Sequence, residues 1–337
     1  MGEPAYRGRQ LAQWIYRRGA ESFDQMTDLS QPFRVRLADA YEIGLPKVAH
    51  ADSAPDRTVK CLLELADGEQ VESVYLPYAD RVSVCLSSQV GCPAGCTFCA
   101  TAQGGLARNM TAGEIASQVL VLQADSPNRR ISHAVYMGMG EPLLNYDEVV
   151  GSLRLLTEEV GLSARHITIS TVGIAPGIRK LADEKIPVTL ALSLHAPNDE
   201  LRETLIPTAR KWRLAEILDA CREYYAKTKR NLTFEYLMLG GINDEPGQAA
   251  EMAKLLRGIP GNVNLIPFNY VETSEGFRGP TSERIREFKE VLESSGRVTT
   301  QRMERGHAIS AACGQLRRTA GTIRRRTGAE IPLAAIS

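Results

Sequence analysis

The sequence of 337 residues lacks a long apolar run, a net charge and a regular cysteine pattern. No stretch approaches the roughly 20 apolar residues that span a bilayer, and the first thirty residues contain no signal-peptide core. We therefore expect a cytoplasmic protein that makes no membrane contact. The composition, with 43% hydrophobic residues, allows a full core and excludes a disordered or collagen-like chain.

The charge balance gives no general signal for a nucleic-acid partner, because 40 basic residues face 40 acidic residues. Any basic surface must be local. From residue 301 onward seven arginines stand against two glutamates, and a second basic group lies between residues 202 and 230. Each group is either an RNA contact or a solvated surface. The second group comprises Arg202, Arg210, Lys211, Arg213, Lys227, Lys229 and Arg230.

The seven cysteines are irregularly spaced, which is poor evidence for a disulfide framework and favours metal binding or redox catalysis. Cys92, Cys96 and Cys99 form a CxxxCxxC run, and Pro93 and Gly95 bend that loop so that several sulfurs converge. A structural zinc site needs four protein ligands, and the run supplies three. A 4Fe–4S cluster held by three thiolates keeps one iron open for another ligand, so both interpretations remain at this point.

Three regions are predicted along the chain. Residues 1–45 form a small helical domain, and residues 46–80 form a linking β-hairpin in which two alternating runs flank an Asp-Gly turn. Residues 81–337 form the main domain, with a C-terminal loop and a basic tail.

The main domain alternates six β-rich runs with amphipathic helical segments, which is typical of parallel βα units. A complete eight-unit barrel needs more chain than this. We therefore predict an α/β fold with a partial (βα)6 TIM-like barrel. Function in such folds gathers at the carboxyl ends of the strands. The polar residues predicted at that edge are Cys85, Glu141, Ser170, Thr171, Ser193, His195 and Asn269.

The CxxxCxxC loop after the first strand of a partial barrel resembles the radical S-adenosylmethionine superfamily, and the GMGEP run resembles its stretch that holds the cofactor's amino group. A longer set of motifs resembles, within that superfamily, the 23S ribosomal RNA adenine methyltransferases. These motifs are CLSSQVGC, GMGEPLLN, ITISTVGIAPGI, LSLHAPND, NLIPFN and AACGQL.

The resemblance implies one 4Fe–4S cluster on Cys92, Cys96 and Cys99, with S-adenosylmethionine on the fourth iron and two S-adenosylmethionine molecules consumed per turnover. It implies reductive cleavage of one of them to a 5′-deoxyadenosyl radical. The residues that it implies for cofactor binding are Gly140, Glu141, Ser170, Ser193, Leu194, His195 and Asn269. By position alone, the alternative interpretation of His195 is a core histidine.

The resemblance also implies three catalytic residues. The Cys313 thiolate accepts a methyl group, and the derived methylene radical adds to an adenine ring carbon. Glu72 is the general base, and Cys85 attacks the Cys313 sulfur to release the product with a disulfide. Without the resemblance, Glu72 reads as a solvent-facing carboxylate, and both cysteines read as buried structural residues.

The implied substrate is an exposed adenine of 23S rRNA, and tRNA is a further candidate substrate. Carbon 2 is the favoured methylation site, and the alternative is a resistance paralogue that methylates carbon 8. A less favoured alternative is a non-catalytic, zinc-stabilised RNA-binding protein. The expected partners also include an electron donor such as a flavodoxin system, and the expected state is a monomer.

Overall fold

A computed structural model describes residues 2–124, 129–268, 276–302, 309 and 315–316. Most of the described strands belong to one mixed sheet. They are β1 (Lys47–Ser53), β2 (Val59–Glu64), β3 (Gln70–Pro77), β4 (Val82–Cys85), β7 (His133–Tyr136), β8 (Ile167–Thr171), β9 (Thr189–Ser193), β10 (Leu232–Met238), β11 (Gly261–Pro267) and β12 (Thr299–Gln301). The strands β5 (Gln89–Gly91) and β6 (Leu106–Asn109) pair separately as an antiparallel ribbon.

The strand order in the large sheet is β1-β2-β3-β4-β7-β8-β9-β10-β11-β12. Strands β1 to β4 pair antiparallel, and every pair from β4 to β12 is parallel. Among the described residues the sheet stays open, because β1 and β12 stand at its two edges. The six predicted parallel strands are confirmed, and β12 adds a seventh that the sequence patterns did not indicate.

Helices lie between successive parallel strands along the chain, and two further helices precede the sheet. In the described part of the chain they are α1 (Ala5–Ala12), α2 (Gln31–Ala40), α3 (Ala100–Gln103), α4 (Ala112–Ala124), α5 (Tyr146–Arg154), α6 (Ala175–Asp183), α7 (Asp199–Leu205), α8 (Leu214–Thr228), α9 (Pro246–Leu255) and α10 (Ser282–Ser294). None of these described helices has both the length and the apolar character that a membrane span requires.

The main core lies between the helices and one face of the sheet. Alternation along the strands explains it, since every second side chain of a strand points to the same face. In β8 the residues Ile167 and Ile169 are fully buried, whereas Thr168 between them and Ser170 after them point to the other face. Tyr136 is also fully buried, and its hydroxyl is 2.7 Å from Ser152 Oγ on α5. The helical side of the sheet is therefore closed to ligands.

The opposite face of the sheet carries a row of polar residues. Ser193 pairs with Glu235, Glu235 pairs with Asn264, and Asn264 pairs with Thr300, so these four side chains form one row across β9 to β12. Ser193 and Glu235 of this row line a cavity on this side of the sheet.

The residues before the main sheet have a small core of their own. Phe23, Met26, Leu29, Phe33 and Leu37 pack together around α2. The predicted pairing that follows is present as β2 and β3, with Leu62 opposite Glu72. The sequence patterns missed β1, which pairs with β2 and extends the hairpin to three strands.

Candidate active site

The three cysteines of the CxxxCxxC run lie in the loop between β5 and α3 and line one open cavity. Cys92 and Cys96 are buried, and Cys99 is partly exposed. Two outside contacts hold the loop in place: Thr97 N donates to Leu205 O at 3.0 Å, and Thr208 Oγ1 donates to Ala94 O at 2.7 Å. The segment from α7 to Thr208 therefore fixes the position of the thiols.

The electrostatics of these thiols suits a metal cluster. Burial raises the pKa of Cys92 to about 12 and raises the pKa of Cys96 well above its ordinary value, and neighbouring Cys99 and Glu141 add to both effects. A bound metal supplies the positive charge that makes such thiols deprotonate.

The geometry of the cysteine loop bears on the choice between zinc and a cluster. Within the described ranges, no three Cys, His, Asp or Glu side chains are grouped so as to hold a single metal ion. The three thiols line the wall of a cavity instead. A 4Fe–4S cluster presents a separate iron to each thiolate, so this donor set fits the cluster.

The GMGEP loop follows β7 and forms another wall of the cavity through Gly138, Gly140 and Glu141. Gly140 has φ +106°, a conformation that side chains disfavour, and a Cβ atom there would lie 2.7 Å from Ser88 Oγ. The second glycine of the motif is therefore required by close backbone packing against the segment that follows β4.

Glu141 is almost fully buried, and both of its carboxylate oxygens accept backbone hydrogen bonds. Leu143 N donates to Oε1 at 3.0 Å, and Val172 N donates to Oε2 at 2.7 Å. Burial raises the Glu141 pKa to about 7 despite these bonds. Each oxygen keeps a further lone pair, so the carboxylate both ties the β7 and β8 loops together and remains able to accept from a ligand.

His195 follows β9 and lines the same cavity, with φ +58°. Its Nδ1 accepts a hydrogen bond from Leu237 N at 3.0 Å, which assigns the ring proton to Nε2. Burial, helped by the charge of Arg202, lowers the His195 pKa to about 3. The Phe98 ring meets the imidazole edge-on, with 5.2 Å between centroids. His195 is thus a neutral ring at the cavity wall.

Two of the remaining predicted cofactor residues line the cavity, and one does not. Ser170 Oγ and Ser193 Oγ lie 3.3 Å apart on neighbouring strands at the cavity wall. The Leu194 side chain instead packs into the main core, and only its backbone is near the site. Asn269 lies outside the described residues.

Glu72 and Cys85 lie beside the cavity without lining it. Cys85 ends β4 opposite Val74, and Glu72 stands two residues before Val74 on β3, so both side chains are on the same face of the sheet. Glu72 is buried, which excludes the solvent-facing carboxylate. Its Oε1 lies 3.3 Å from Lys60 Nζ on β2, a partner that the sequence did not reveal.

Cys313 lies outside the described residues, but the chain is described again just beyond it. Gln315 and Leu316 are buried, and Leu316 O accepts a hydrogen bond from Thr101 Oγ1 at 2.6 Å. Thr101 is in α3, directly after the cysteine loop, and lines the cavity. The chain is thus fixed to the cavity wall three residues after Cys313.

Comparison with known proteins identifies the arrangement. The model of the radical SAM superfamily matches residues 86–253, and that of the ribosomal RNA large subunit methyltransferase N-terminal domain matches residues 1–43. A probable dual-specificity RNA methyltransferase RlmN from Symbiobacterium thermophilum is 51% identical over 95% of this chain and 87% of its own length. The chain belongs to the RlmN family.

Other relatives agree with that assignment. The RlmN protein of Thermosynechococcus vestitus is 48% identical over 94% of this chain and 93% of its own. The crystal structure of a radical SAM methyltransferase from Sphaerobacter thermophilus is 44% identical, with a TM-score of 0.89 and coverage of 94% of both chains. Membership of the RlmN family confirms the family resemblance and the radical SAM partial-barrel fold, and it implies a 4Fe–4S cluster and S-adenosylmethionine.

Two residues of the site in this RlmN family member were missed by sequence reasoning. Glu235 lines the cavity from the middle of β10, and its Oε2 accepts from Asn264 Nδ2 at 2.8 Å. Burial raises the pKa of Glu235. The positive charge of Arg302, which also lines the cavity, partly opposes this rise. The sequence did contain a signal for Glu235. A single carboxylate within the apolar run LTFEYLML costs free energy to bury unless it binds a partner.

One member of the predicted basic surface groups is misplaced. Arg202 was grouped with phosphate-binding residues, but its side chain is fully buried behind the cavity wall. Arginine is almost never fully buried, so its burial could not be anticipated from composition. Arg210 and Arg213, by contrast, are exposed.

Proposed function

We propose that this chain is a radical SAM methyltransferase that methylates carbon 2 of an adenine in 23S rRNA, with tRNA as a second substrate. The observation that carries the proposal is the cavity in which three thiols of one loop face Glu141, Ser170, Ser193 and His195. The relatives named as dual-specificity RNA methyltransferases and the matched N-terminal ribosomal RNA methyltransferase domain support RNA as the substrate class.

Cys92, Cys96 and Cys99 are the proposed cluster ligands, and S-adenosylmethionine is the proposed ligand of the open iron. When bound, this pair supplies one-electron cleavage of S-adenosylmethionine to a carbon radical, which ordinary methyl transfer to an aromatic carbon cannot replace. The Phe98 ring and the buried loop around it exclude water from this side of the cavity.

The polar groups of the cavity orient the cofactor. Glu141 offers carboxylate lone pairs to an ammonium group, and its second role as a tie between two loops keeps that acceptor fixed. The Nε2–H of His195 and the hydroxyls of Ser170 and Ser193 offer hydrogen bonds to a carboxylate or to ribose oxygens. Gly140, Leu194 and Asn269 complete the proposed set, with the first two acting through the backbone.

Cys313, Cys85 and Glu72 are the proposed catalytic residues. Cys313 carries the methyl group taken from one S-adenosylmethionine, and a second S-adenosylmethionine is consumed in activating it, so two are used per turnover. After the carbon–carbon bond forms, the adduct is a radical that must lose one electron and the proton of the adenine carbon; the electron passes to the bound cluster, and Glu72 takes the proton. The Cys85 thiolate then attacks the Cys313 sulfur, and the electron pair of the broken S–C bond leaves with the product carbon, which takes a proton. The resulting disulfide is reduced by an external thiol before the next cycle.

Glu72 is the proposed base that removes the proton from the adenine carbon. Lys60 holds this carboxylate in position, because its ammonium group lies 3.3 Å from Glu72 Oε1 and both side chains are largely shielded from water. Glu72 is also tied to the GMGEP loop, since its N–H donates to Met139 Sδ at 3.3 Å. The base and the cofactor loop are therefore parts of one packed unit.

We further propose that residues 1–45, 46–80 and 81–337 act as an accessory domain, a linker and the catalytic domain. The separate core around Phe33 and the domain match over residues 1–43 support the first boundary. A cytoplasmic monomer that receives electrons from a flavodoxin system completes the proposal.

The decisive experiment combines reconstitution and product analysis. The protein is loaded anaerobically with iron and sulfide and incubated with S-adenosylmethionine, a reductant and a 23S rRNA fragment. Mass spectrometry of the nucleosides is expected to give 2-methyladenosine together with 5′-deoxyadenosine. Methylation at carbon 8 would overturn the proposed position, and bound zinc without deoxyadenosine would overturn the radical mechanism.

A Cys85→Ala variant tests the release step. It is expected to accumulate a covalent RNA adduct, visible as a shifted band on a denaturing gel, because no thiolate is present to break the tether. Cys221→Ala is the matched control, since that cysteine is buried on α8 in the main core. Normal turnover by Cys85→Ala without an adduct would contradict the assigned role.

A further inference from the structure

Arg202 is a buried cation, and its hydrogen bonds go to neutral groups instead of to an anion. Its side chain on α7 is fully inaccessible to solvent. Nε donates to Leu194 O at 3.0 Å, and Nη2 donates to Ser193 O at 3.1 Å and to Val172 O. All three acceptors are neutral carbonyls, and the buried Nη1 has no hydrogen-bond partner. Burying a guanidinium in this way is costly unless an anion lies nearby.

The surroundings of Arg202 point toward the cysteine loop. Leu205, at the end of the same helix, accepts from Thr97 N, and Thr97 directly follows Cys96. On the other side, Val172 accepts from Arg202 and donates to Glu141 Oε2 at 2.7 Å. Once Cys96 is a thiolate, as it is when it binds a metal, its sulfur exerts a stronger attraction on the guanidinium than Asp199 or Glu141 does. Arg202 therefore lies behind the cavity wall, between the cluster loop and the GMGEP loop.

The bound state supplies an additional anion. A 4Fe–4S core with two positive charges becomes a net anion when three thiolates bind it, and the added electron of the reduced state doubles that negative charge. The field of a charge buried in a medium of low dielectric constant is weakly screened, so it acts across a layer of protein. Since Arg202 does not line the cavity, it acts through this field and makes no contact with the cofactor.

We propose that Arg202 is the internal counter-charge of the cluster, which stabilises the reduced state and so raises the reduction potential. The inference rests on the proposed cluster at Cys92, Cys96 and Cys99. It assigns Arg202 a role that the reaction scheme does not give it, and it explains why a guanidinium is buried with one nitrogen unpaired.

The test measures the cluster potential in three reconstituted full-length proteins, the wild type, Arg202→Gln and Arg202→Lys, without S-adenosylmethionine. Reduction by dithionite is followed through the EPR signal of the reduced cluster. Arg202→Gln removes the charge, and we expect at least a tenfold loss in the reduction equilibrium constant, which is about 59 mV toward negative potential for one electron. Arg202→Lys keeps the charge but loses donors to the three carbonyls, and we expect it to remain much closer to the wild type.

The comparison separates electrostatics from structure. A residue that only anchors the carbonyls would give equal shifts in the glutamine and lysine variants, and that result would overturn the proposal. Arg210→Gln is the matched control, because it removes one positive charge at a side chain that is 75% exposed. An equal shift in this control would also overturn the proposal, because it would show a general effect of net charge.

Two further results of the potential measurement distinguish the counter-charge from the proposed function. A wild-type protein that binds no cluster would overturn the proposed function as well, whereas a normal cluster with an unchanged potential in Arg202→Gln would overturn the counter-charge alone. Where the Arg202 variants fail to fold, Asp199→Asn replaces them, since Asp199 is the next strongest attraction on Arg202 and its Oδ1 acceptor for Leu214 N is retained. The potential must then become more positive, and no change would overturn the proposal.

Discussion

Replacing Glu141 with glutamine is expected to change how the stability of the apoprotein depends on pH. The carboxylate is buried, and its pKa is raised from 4.5 to about 7, mainly by loss of hydration. The folded protein therefore holds a proton that the unfolded chain has released across this interval. Stability must fall as the pH rises from about 4.5 to about 7, and it is then constant with respect to this group.

The magnitude follows from the two pKa values. Each tenfold change in proton affinity is worth about 1.4 kcal/mol, so the interval corresponds to a loss of about 3 kcal/mol for the wild type. Glutamine does not titrate, so the unfolding free energy of the variant does not fall with pH through this group. It has one acceptor oxygen where the wild type has two, and leaving Leu143 N or Val172 N unsatisfied costs about 1–3 kcal/mol at every pH.

The variant should therefore be less stable than the wild type at pH 4.5 and close to it at pH 8. Urea unfolding at several pH values, on protein stripped of iron, measures both curves. His195 has the opposite effect, because its pKa is lowered to about 3 and the unfolded chain binds the extra proton below about 6.5. That contribution is the same in both proteins, so it cancels when the two curves are subtracted.

A difference between the two curves that is independent of pH would refute the reasoning, because it would mean that Glu141 is ionised in the folded state over the whole range. A ligand with an ammonium group should lower the Glu141 pKa. Wild-type protein is then expected to bind such a ligand more tightly as the pH rises through 7, and the glutamine variant should lack this dependence.

Two further substitutions test the packing behind the site. Gly140→Ala is expected to cost about 2–5 kcal/mol in unfolding free energy, because the new Cβ would meet Ser88 Oγ at 2.7 Å in a disfavoured backbone conformation; urea unfolding within about 0.5 kcal/mol of the wild type would contradict this. Lys60→Met is expected to slow single-turnover methylation at least tenfold with unchanged iron content, since Glu72 loses its cation, and Lys60→Arg should restore part of the rate. Equal rates for the methionine variant and the wild type would exclude a contribution of Lys60.

Much of the fold was predictable because its strands are long and regular in pattern. The runs that became β8 to β11 alternate or are apolar throughout, and turn signals bound them. Strand β12 has only Thr299–Gln301, too short for any periodicity to register. The helix α7 was missed for a similar reason, since seven residues give barely two turns.

The parts of the site that share one loop were also predictable, whereas those joined across the sheet were not. The cysteine spacing and the GMGEP run are local, so the sequence contains them directly. The pairing of Lys60 with Glu72 depends on the register of β2 against β3, and the burial of Arg202 depends on the packing of α7 behind two strand ends. Such contacts come from tertiary structure, which a single sequence does not display.

The hydrogen bond from Thr101 to Leu316 joins positions that are 215 residues apart. Contacts of such long range form late, because the entropy of closing the intervening loop is lost before the contact is gained. During synthesis the cysteine loop emerges long before the segment that packs against α3. The nascent chain must therefore pass through a stage in which α3 has formed beside the cysteine loop but lacks the contact with Leu316 that the finished protein has.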